Sequence, residues 1–229
     1  MSQAPFPLSV RARFDQPSRW LWLVKWILLI PHYIILFFLS LAFIVVTVIA
    51  FFAILFTTRY PQGLFEFNAG VLRWSWRVSY YGYSALATDR YPPFTLADVP
   101  DYPARLVIDY PERLHRWLPL VKWLLAFPHY LLVGVLAGSG YSVASTDDHR
   151  GAAYSAPSLI VVAMLVAAIA LLFTTRYPIG LFDLAVGVDR WGYRVVAYVA
   201  LMTDRYPPLR LDQGGDDPEG PVDPPAAGG

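Results

Sequence analysis

Between Trp20 and Thr58 the chain carries 39 residues with a single charge, Lys25. As one helix this run would be about 58 Å long at ~1.5 Å per residue, roughly twice the hydrocarbon thickness of a bilayer. It therefore predicts a transmembrane hairpin, with crossings over residues 20–39 and 41–57, a turn at Ser40 and a kink at Pro31. The run is far longer than the apolar region of a signal peptide and follows nineteen mixed residues, so it is expected to stay in the mature protein.

A second pattern follows over residues 64–87. Glu66, Gly70, Arg73 and Arg77 are spaced by four, three and four, which places them on one helical face, and the opposite face carries Phe65, Leu72, Trp74, Trp76, Tyr80 and Tyr81. This predicts an amphipathic helix lying in the membrane interface, with a third crossing as the alternative. Before the hairpin the period becomes two: Leu8, Val10, Ala12 and Phe14 alternate with Ser9, Arg11 and Arg13. Residues 105–110, 94–96 and 209–211 are further short strand candidates, expected to form a small sheet outside the bilayer.

These patterns occur twice. Arg19-Trp20-Leu21, Val24-Lys25-Trp26 and Pro31-His32-Tyr33 recur at a shift of 97 as Arg116-Trp117-Leu118, Val121-Lys122-Trp123 and Pro128-His129-Tyr130. Phe56 to Pro61 and Gly63-Leu64-Phe65 recur at 117, and Thr88-Asp89-Arg90-Tyr91-Pro92-Pro93 returns as Thr203 to Pro208 at 115. The change of shift places a 20-residue insertion at Gly138 to Pro157, opposite Ser40. Since insertions are tolerated at exposed loop tips, it supports a hairpin, whose second copy crosses over 117–137 and 158–174. The second amphipathic stretch, 181–202, carries Asp183, Gly187, Arg190 and Arg194. The expected fold is thus mainly α and membrane-integral: a tandem duplication of a transmembrane hairpin plus an interfacial helix, with short flanking strands. Its parts are a first repeat over 1–97, a second over 98–211 and a tail over 212–229.

Charge sharpens this picture. The formal net charge of +1 is the sum of a body with 18 bases and 12 acids, a net +6, and a tail whose five acids face no base. With its Gly and Pro, that tail is expected to be disordered. Only 15% of the chain is charged and 56% is hydrophobic, whereas a soluble domain averages about 25% charged. Of the 18 bases only Arg150 lies in the hairpin-tip insertion, so the positive-inside rule puts the termini in the cytoplasm.

Cysteine is absent, which excludes disulfides, thiolate metal sites and cysteine nucleophiles. No phosphate loop, dinucleotide fingerprint, nucleophile elbow or metal-ligand spacing is present, and no nucleic-acid module. No cofactor is expected. The intramembrane polar residues Lys25, His32, Lys122 and His129 are candidates for a polar path, against a plainer reading as snorkelling lysines and interhelical hydrogen bonds. Arg59, Tyr60, Arg176 and Tyr177 read as interface anchors at helix ends. Glu66, Arg73, Arg77, Asp183, Arg190 and Arg194 are the candidates for binding anionic lipid or a protein partner.

With residues 19–33, 56–67, 71–77 and 88–93 and their second copies in view, the chain resembles the bacterial membrane family DUF4389, a domain of unknown function. The resemblance implies an integral membrane protein of the bacterial inner membrane and carries no catalytic residues across. The second copy departs at Asn68 (Ala185) and Trp76 (Tyr193). The functional expectation is a non-enzymatic accessory, scaffold or lipid-interacting component, with a membrane protein or a second copy as partner. The alternative is a small transporter or channel.

Overall fold

The computed structural model describes residues 6–18, 20–82, 86–137, 166, 169 and 179–217. The fold is mainly helical with one small antiparallel sheet. In chain order the elements are β1 (Leu8–Ala12), α1 (Trp22–Leu28), α2 (Ile30–Thr57), α3 (Gln62–Tyr81), β2 (Ala104–Ile108), α4 (Leu118–Leu125), α5 (Phe127–Ala137) and α6 (Ile179–Val199).

The sheet pairs β1 with β2 in the register Leu8↔Ile108 to Ala12↔Ala104. Alternation drives it: Leu8, Val10, Leu106 and Ile108 turn inward to a core completed by Phe65, Ala69, Leu72, Trp76 and Tyr80 of α3 and Phe182, Val186 and Ala197 of α6. The indole of Trp76 donates to the Arg11 carbonyl (3.4 Å) and the Tyr80 hydroxyl to that of Arg13 (2.7 Å), fixing α3 across the sheet. Residues 94–96 and 209–211, expected as strands, form none; both segments run irregularly over the helices.

Pro31 acts as a break. It sits in the first turn of α2, where its missing N–H costs no hydrogen bond, and α1 ends just before it at Leu28. Pro128 stands likewise as the second residue of α5, just after α4.

The expected turn at Ser40 does not form. α2 is one uninterrupted helix of 28 residues, about 42 Å long at ~1.5 Å per residue. Nothing in the run breaks a helix, and the Ser40 hydroxyl is absorbed by the Phe37 carbonyl (2.7 Å). α2 is the one helix among the described residues long and apolar enough to cross a membrane. The tip insertion 138–157 and almost all of the second return segment 158–174 lie outside the described residues.

Nor does α3 lie with an apolar face open to lipid. Thirteen of its residues, from Phe65 to Tyr81, are buried, because α2, the sheet and the segment after it all pack on it. α2 follows α3 along most of its length: Thr47 meets Asn68 (3.2 Å), His32 meets Trp74 (3.0 Å) and Leu29 reaches Gly82.

Gly70 has no room for a side chain, since a Cβ there would lie 2.8 Å from the Leu96 Cβ and 2.9 Å from its carbonyl oxygen. Gly70→Ala is expected to destabilise by about 1–3 kcal/mol through forced displacement of the 95–97 segment. Thermal unfolding followed by tryptophan fluorescence checks this, with the roomier Gly63→Ala as the control that should change little.

Candidate functional site

The recurring lysines are each enclosed in the same way. Lys25 on α1 donates from Nζ to the Thr88 carbonyl (2.6 Å), pairs with Asp89 (2.9 Å) and sits over the Tyr81 ring (4.9 Å). Lys122 on α4 meets the Thr203 carbonyl (2.8 Å), Asp204 (2.7 Å) and the Tyr198 ring (5.2 Å). Both lysine side chains are fully buried. Each aspartate also caps the segment entering its helix: Asp89 accepts from the Ser18 amide (2.5 Å) and hydroxyl, and Asp204 from the His115 amide (2.5 Å). Burial alone would raise the Asp89 carboxyl, yet the bonds from Ser18 and Lys25 hold it below the usual carboxylate range.

The turn that delivers these aspartates is strained in both places. Leu86 (φ 49°) and Leu201 (φ 64°) occupy left-handed backbone, which costs a branched residue about 1–2 kcal/mol. Both are buried to 1% exposure or less, and that packing offsets the strain.

The histidines are packed residues. His32 accepts at Nδ1 from the Trp74 indole (3.0 Å) and stacks on Phe94, with ring centroids 4.0 Å apart and 8° between planes. His129 lies against Trp191 (5.6 Å) and Tyr206 (4.9 Å). Among the described residues no group of three or more His, Asp or Glu side chains is placed to hold a metal ion.

The basic stripes divide. Glu66 is exposed and Arg73 half-buried, 3.4 Å apart, while Asp183 is half-buried. Arg77 is buried and donates to the carbonyls of Ala97 (3.0 Å) and Thr95. Arg190 and Arg194 are fully buried. Arg190 donates to the carbonyls of Val10 (2.9 Å), Asp212 and Gly214 (2.9 Å), and Arg194 to Asp212 (2.6 Å) and Asp217 (2.7 Å). One rule governs both stripes: a glycine (Gly70 or Gly187) lets an irregular strap cross the helix closely, and arginines downstream grip the strap's carbonyls. The shared face read from the spacing exists, but at Arg77, Arg190 and Arg194 its partner is the chain itself.

Residues 212–217 are accordingly no disordered tail. Asp217 is buried, accepts from the Val10 amide (3.0 Å) and pairs with both Arg190 and Arg194, while the Ala12 amide bonds the Gly215 carbonyl (2.9 Å). The acids that cancel the body's charge in the sequence partly neutralise it in the fold.

Of the expected anchors, Arg59 is exposed. Tyr60 is fully buried, its hydroxyl accepting from Asn68 (2.9 Å), and so is no membrane-surface anchor. Arg176 and Tyr177 lie outside the described residues. Trp76 and Tyr193, which stand at equivalent places in the recurring blocks, meet: their rings approach to 5.7 Å, and the Tyr193 hydroxyl lies 3.3 Å from Ser75.

Sequence reasoning missed the partners Asp89, Asp204 and Asp217. The first two stood inside the recurring Thr-Asp-Arg-Tyr-Pro-Pro block, and their co-recurrence with the lysines was the available signal. One family model matches the chain, over residues 19–95 and 152–209, and is described as a domain of unknown function. No curated protein and no solved structure matches it.

Proposed function

The chain belongs to that family, DUF4389, and from this premise we propose that it is a non-enzymatic component of the bacterial inner membrane, acting through contact with lipid or a membrane protein. The carrying observation is α2. It carries no Asp, Glu, Lys or Arg, and only His32, Ala50 and Ile54 of its 28 residues are buried. Large side chains such as Phe37, Phe38, Val45, Phe52 and Phe56 are 53–73% exposed. The exposed apolar residues of α1, α4 and α5, among them Ile27, Leu124 and Phe127, enlarge the surface. An apolar face of this size calls for a bilayer or a partner.

The packing favours a body seated on the membrane with α2 sunk along it. α3 lines α2 from Leu29 to Ile54 and carries the sheet on its other side. Were α2 to cross, Arg73 and exposed Glu66 would be drawn to hydrocarbon depth, at about 2.5–3.5 kcal/mol or more for the arginine. The body with its bases and its termini would face the cytoplasm, consistent with the positive-inside rule. The two sets of recurring blocks would be copies of one unit sharing this face. Enclosure of Lys25, His32, Lys122 and His129 by side chains supports a packing role for them over a transport path.

The absence of native cysteine makes the test clean. The protein should stay with membranes through alkaline carbonate washing. Gln16→Cys and Arg59→Cys, flanking the two ends of the α1–α2 run, should both resist an impermeant maleimide in intact spheroplasts and both react in inverted vesicles. Release by carbonate would overturn the membrane-embedded reading; labelling of the two positions from opposite sides would overturn the seated arrangement.

A further inference from the structure

Arg77, Arg190 and Arg194, whose spacing suited anionic lipid, hold the chain itself. A different group of bases stands where α2 ends. The helix closes at Thr58, in left-handed backbone (φ 60°), and the Thr58 carbonyl accepts the Leu114 amide (2.9 Å). Further along, the Trp123 ring of α4 stacks on Phe51 of α2, with centroids 5.7 Å apart and 17° between planes. α4 therefore runs back along the last turns of α2, and residues 112–117 lie against the end of that helix.

Three exposed arginines collect there: Arg59, Arg113 and Arg116. Their guanidinium groups make no ion pair or hydrogen bond among the described residues. Glu112, the one acid of the 112–117 segment, is exposed and pairs with none of them. Nor does the end of α2 use them as caps. The Ala53 carbonyl takes the Thr57 hydroxyl (2.7 Å), that of Ile54 the Thr58 amide (2.8 Å) and that of Thr57 the Thr58 hydroxyl (2.6 Å). At the recurrence shift of 97, the place of Arg113 is held by Gln16. Both segments do the same backbone work, the Ser18 and His115 amides each donating to an aspartate. Such a segment therefore closes without a base at this position.

Hydrocarbon begins directly beside this charge. Phe56, 73% exposed, comes three residues before Arg59, and Trp117, 63% exposed, follows Arg116. Exposed Leu120 and Leu124 continue the apolar surface along α4. An indole at the boundary between guanidinium groups and hydrocarbon matches the headgroup level of a bilayer, and guanidinium forks match phosphate oxygens.

We propose that Arg59, Arg113 and Arg116 form a site for the phosphate of anionic phospholipids, with Trp117 at headgroup level and Phe56, Leu120 and Leu124 against the acyl chains. The site rests on the membrane contact proposed for α2 and names the lipid that this contact selects. A free phosphate would meet the arginines but leave the adjoining apolar surface bare, so lipid is the occupant. A zwitterionic headgroup brings its own cation to three bases that no acid pairs. Each base near an anionic surface contributes about fivefold in affinity.

The test incubates the full chain in mild detergent with equimolar phosphatidylglycerol and phosphatidylcholine of the same acyl chains and counts retained lipids by native mass spectrometry. The native chain should retain phosphatidylglycerol over phosphatidylcholine by about thirtyfold or more. Arg113→Gln with Arg116→Gln should lower that ratio about tenfold or more, and adding Arg59→Gln should bring it near parity. Arg113→Lys with Arg116→Lys should keep most of it, because the charge stays. Arg13→Gln with Arg90→Gln, which removes two exposed bases elsewhere, should leave it unchanged. Equal retention of the two lipids by the native chain would overturn the selection and leave the membrane contact standing; retention of neither would overturn both. An equal fall in the Arg13 and Arg90 variant would replace the site with general charge attraction. Clearance of phosphatidylglycerol by millimolar inorganic phosphate would make a free anion the occupant and overturn the lipid assignment.

Discussion

Replacing Asp217 with alanine is expected to cost about 3–5 kcal/mol, because it strands two buried cations at once. The Asp217 side chain is fully buried and lies 3.4 Å from Arg190 Nε and 2.7 Å from an Arg194 terminal nitrogen. It also accepts the Val10 amide of β1. Removing it leaves the guanidinium groups to Asp212 and to carbonyls, and β1 loses an edge contact. For a chain of this size the loss corresponds to roughly 6–20 °C in Tm, readable by tryptophan fluorescence in detergent. Asp217→Asn, which keeps an acceptor for Val10 but not the charge, should fall between. Adding Arg194→Met to Asp217→Ala should recover part of the loss, since it removes one of the two buried cations that Asp217 held and leaves only Arg190 without it. A loss below about 1 kcal/mol in the alanine variant would mean that the 212–217 strap is dispensable.

Asp89→Asn is the next largest expected effect, at about 2–3 kcal/mol, the scale of a charged hydrogen bond lost to a buried group. It removes the negative charge 2.9 Å from Lys25, which has no exposure of its own and then keeps neutral acceptors and the Tyr81 ring beside it, and it weakens the cap on Ser18. The pH dependence has a definite sign. Because the folded-state value for Asp89 is depressed, its contribution is present above the unfolded value, about 3.9, and is lost as pH falls through the lower folded one. The native chain should therefore lose this part of its stability only below about pH 4, and Asp89→Asn should lack that acid limb. The paired change Lys25→Met with Asp89→Asn should be less damaging than Asp89→Asn alone. An additive result would show that Lys25 and Asp89 do not act as a pair.

What the sequence disclosed depended on whether a residue's partner is encoded in a local period. Alternation from Leu8 to Ala12 and apolar composition near Arg105 were enough for the two strands, because one face of each must be buried, but not for which of the strand candidates would pair. Pro31 marked the break between α1 and α2. Spacing also placed Gly70, Arg73 and Arg77 on one face, but the Thr95 and Ala97 carbonyls that Arg77 grips carry no side-chain signature, so lipid phosphate looked the equal candidate. At Ser40 the inference failed for a different reason. The change of shift between recurring blocks was read as marking a loop tip at Ser40, but Ser40 is a helix interior, and length alone does not turn it. The Asp212–Asp217 stretch misled through composition, since Gly, Pro and acid read as disorder until two buried arginines are known to await them.

The strap has a consequence in time. The Val10 amide and the Asp217 carboxylate are 207 residues apart in sequence, and at ~5–20 residues per second a ribosome needs roughly 10–40 s to deliver the second after the first. β2 arrives earlier, but the Val10 carbonyl still waits for Arg190 and the Ala12 amide for Gly215. Through this interval β1 is a short, apolar strand with an unpaired edge, the kind of segment that recruits other chains. Arg11 and Arg13, alternating with its apolar residues, put positive charge along that edge while it is open. On this view the flanking arginines serve the nascent chain, and aggregation during synthesis, more than the stability of the finished protein, is what their removal would change.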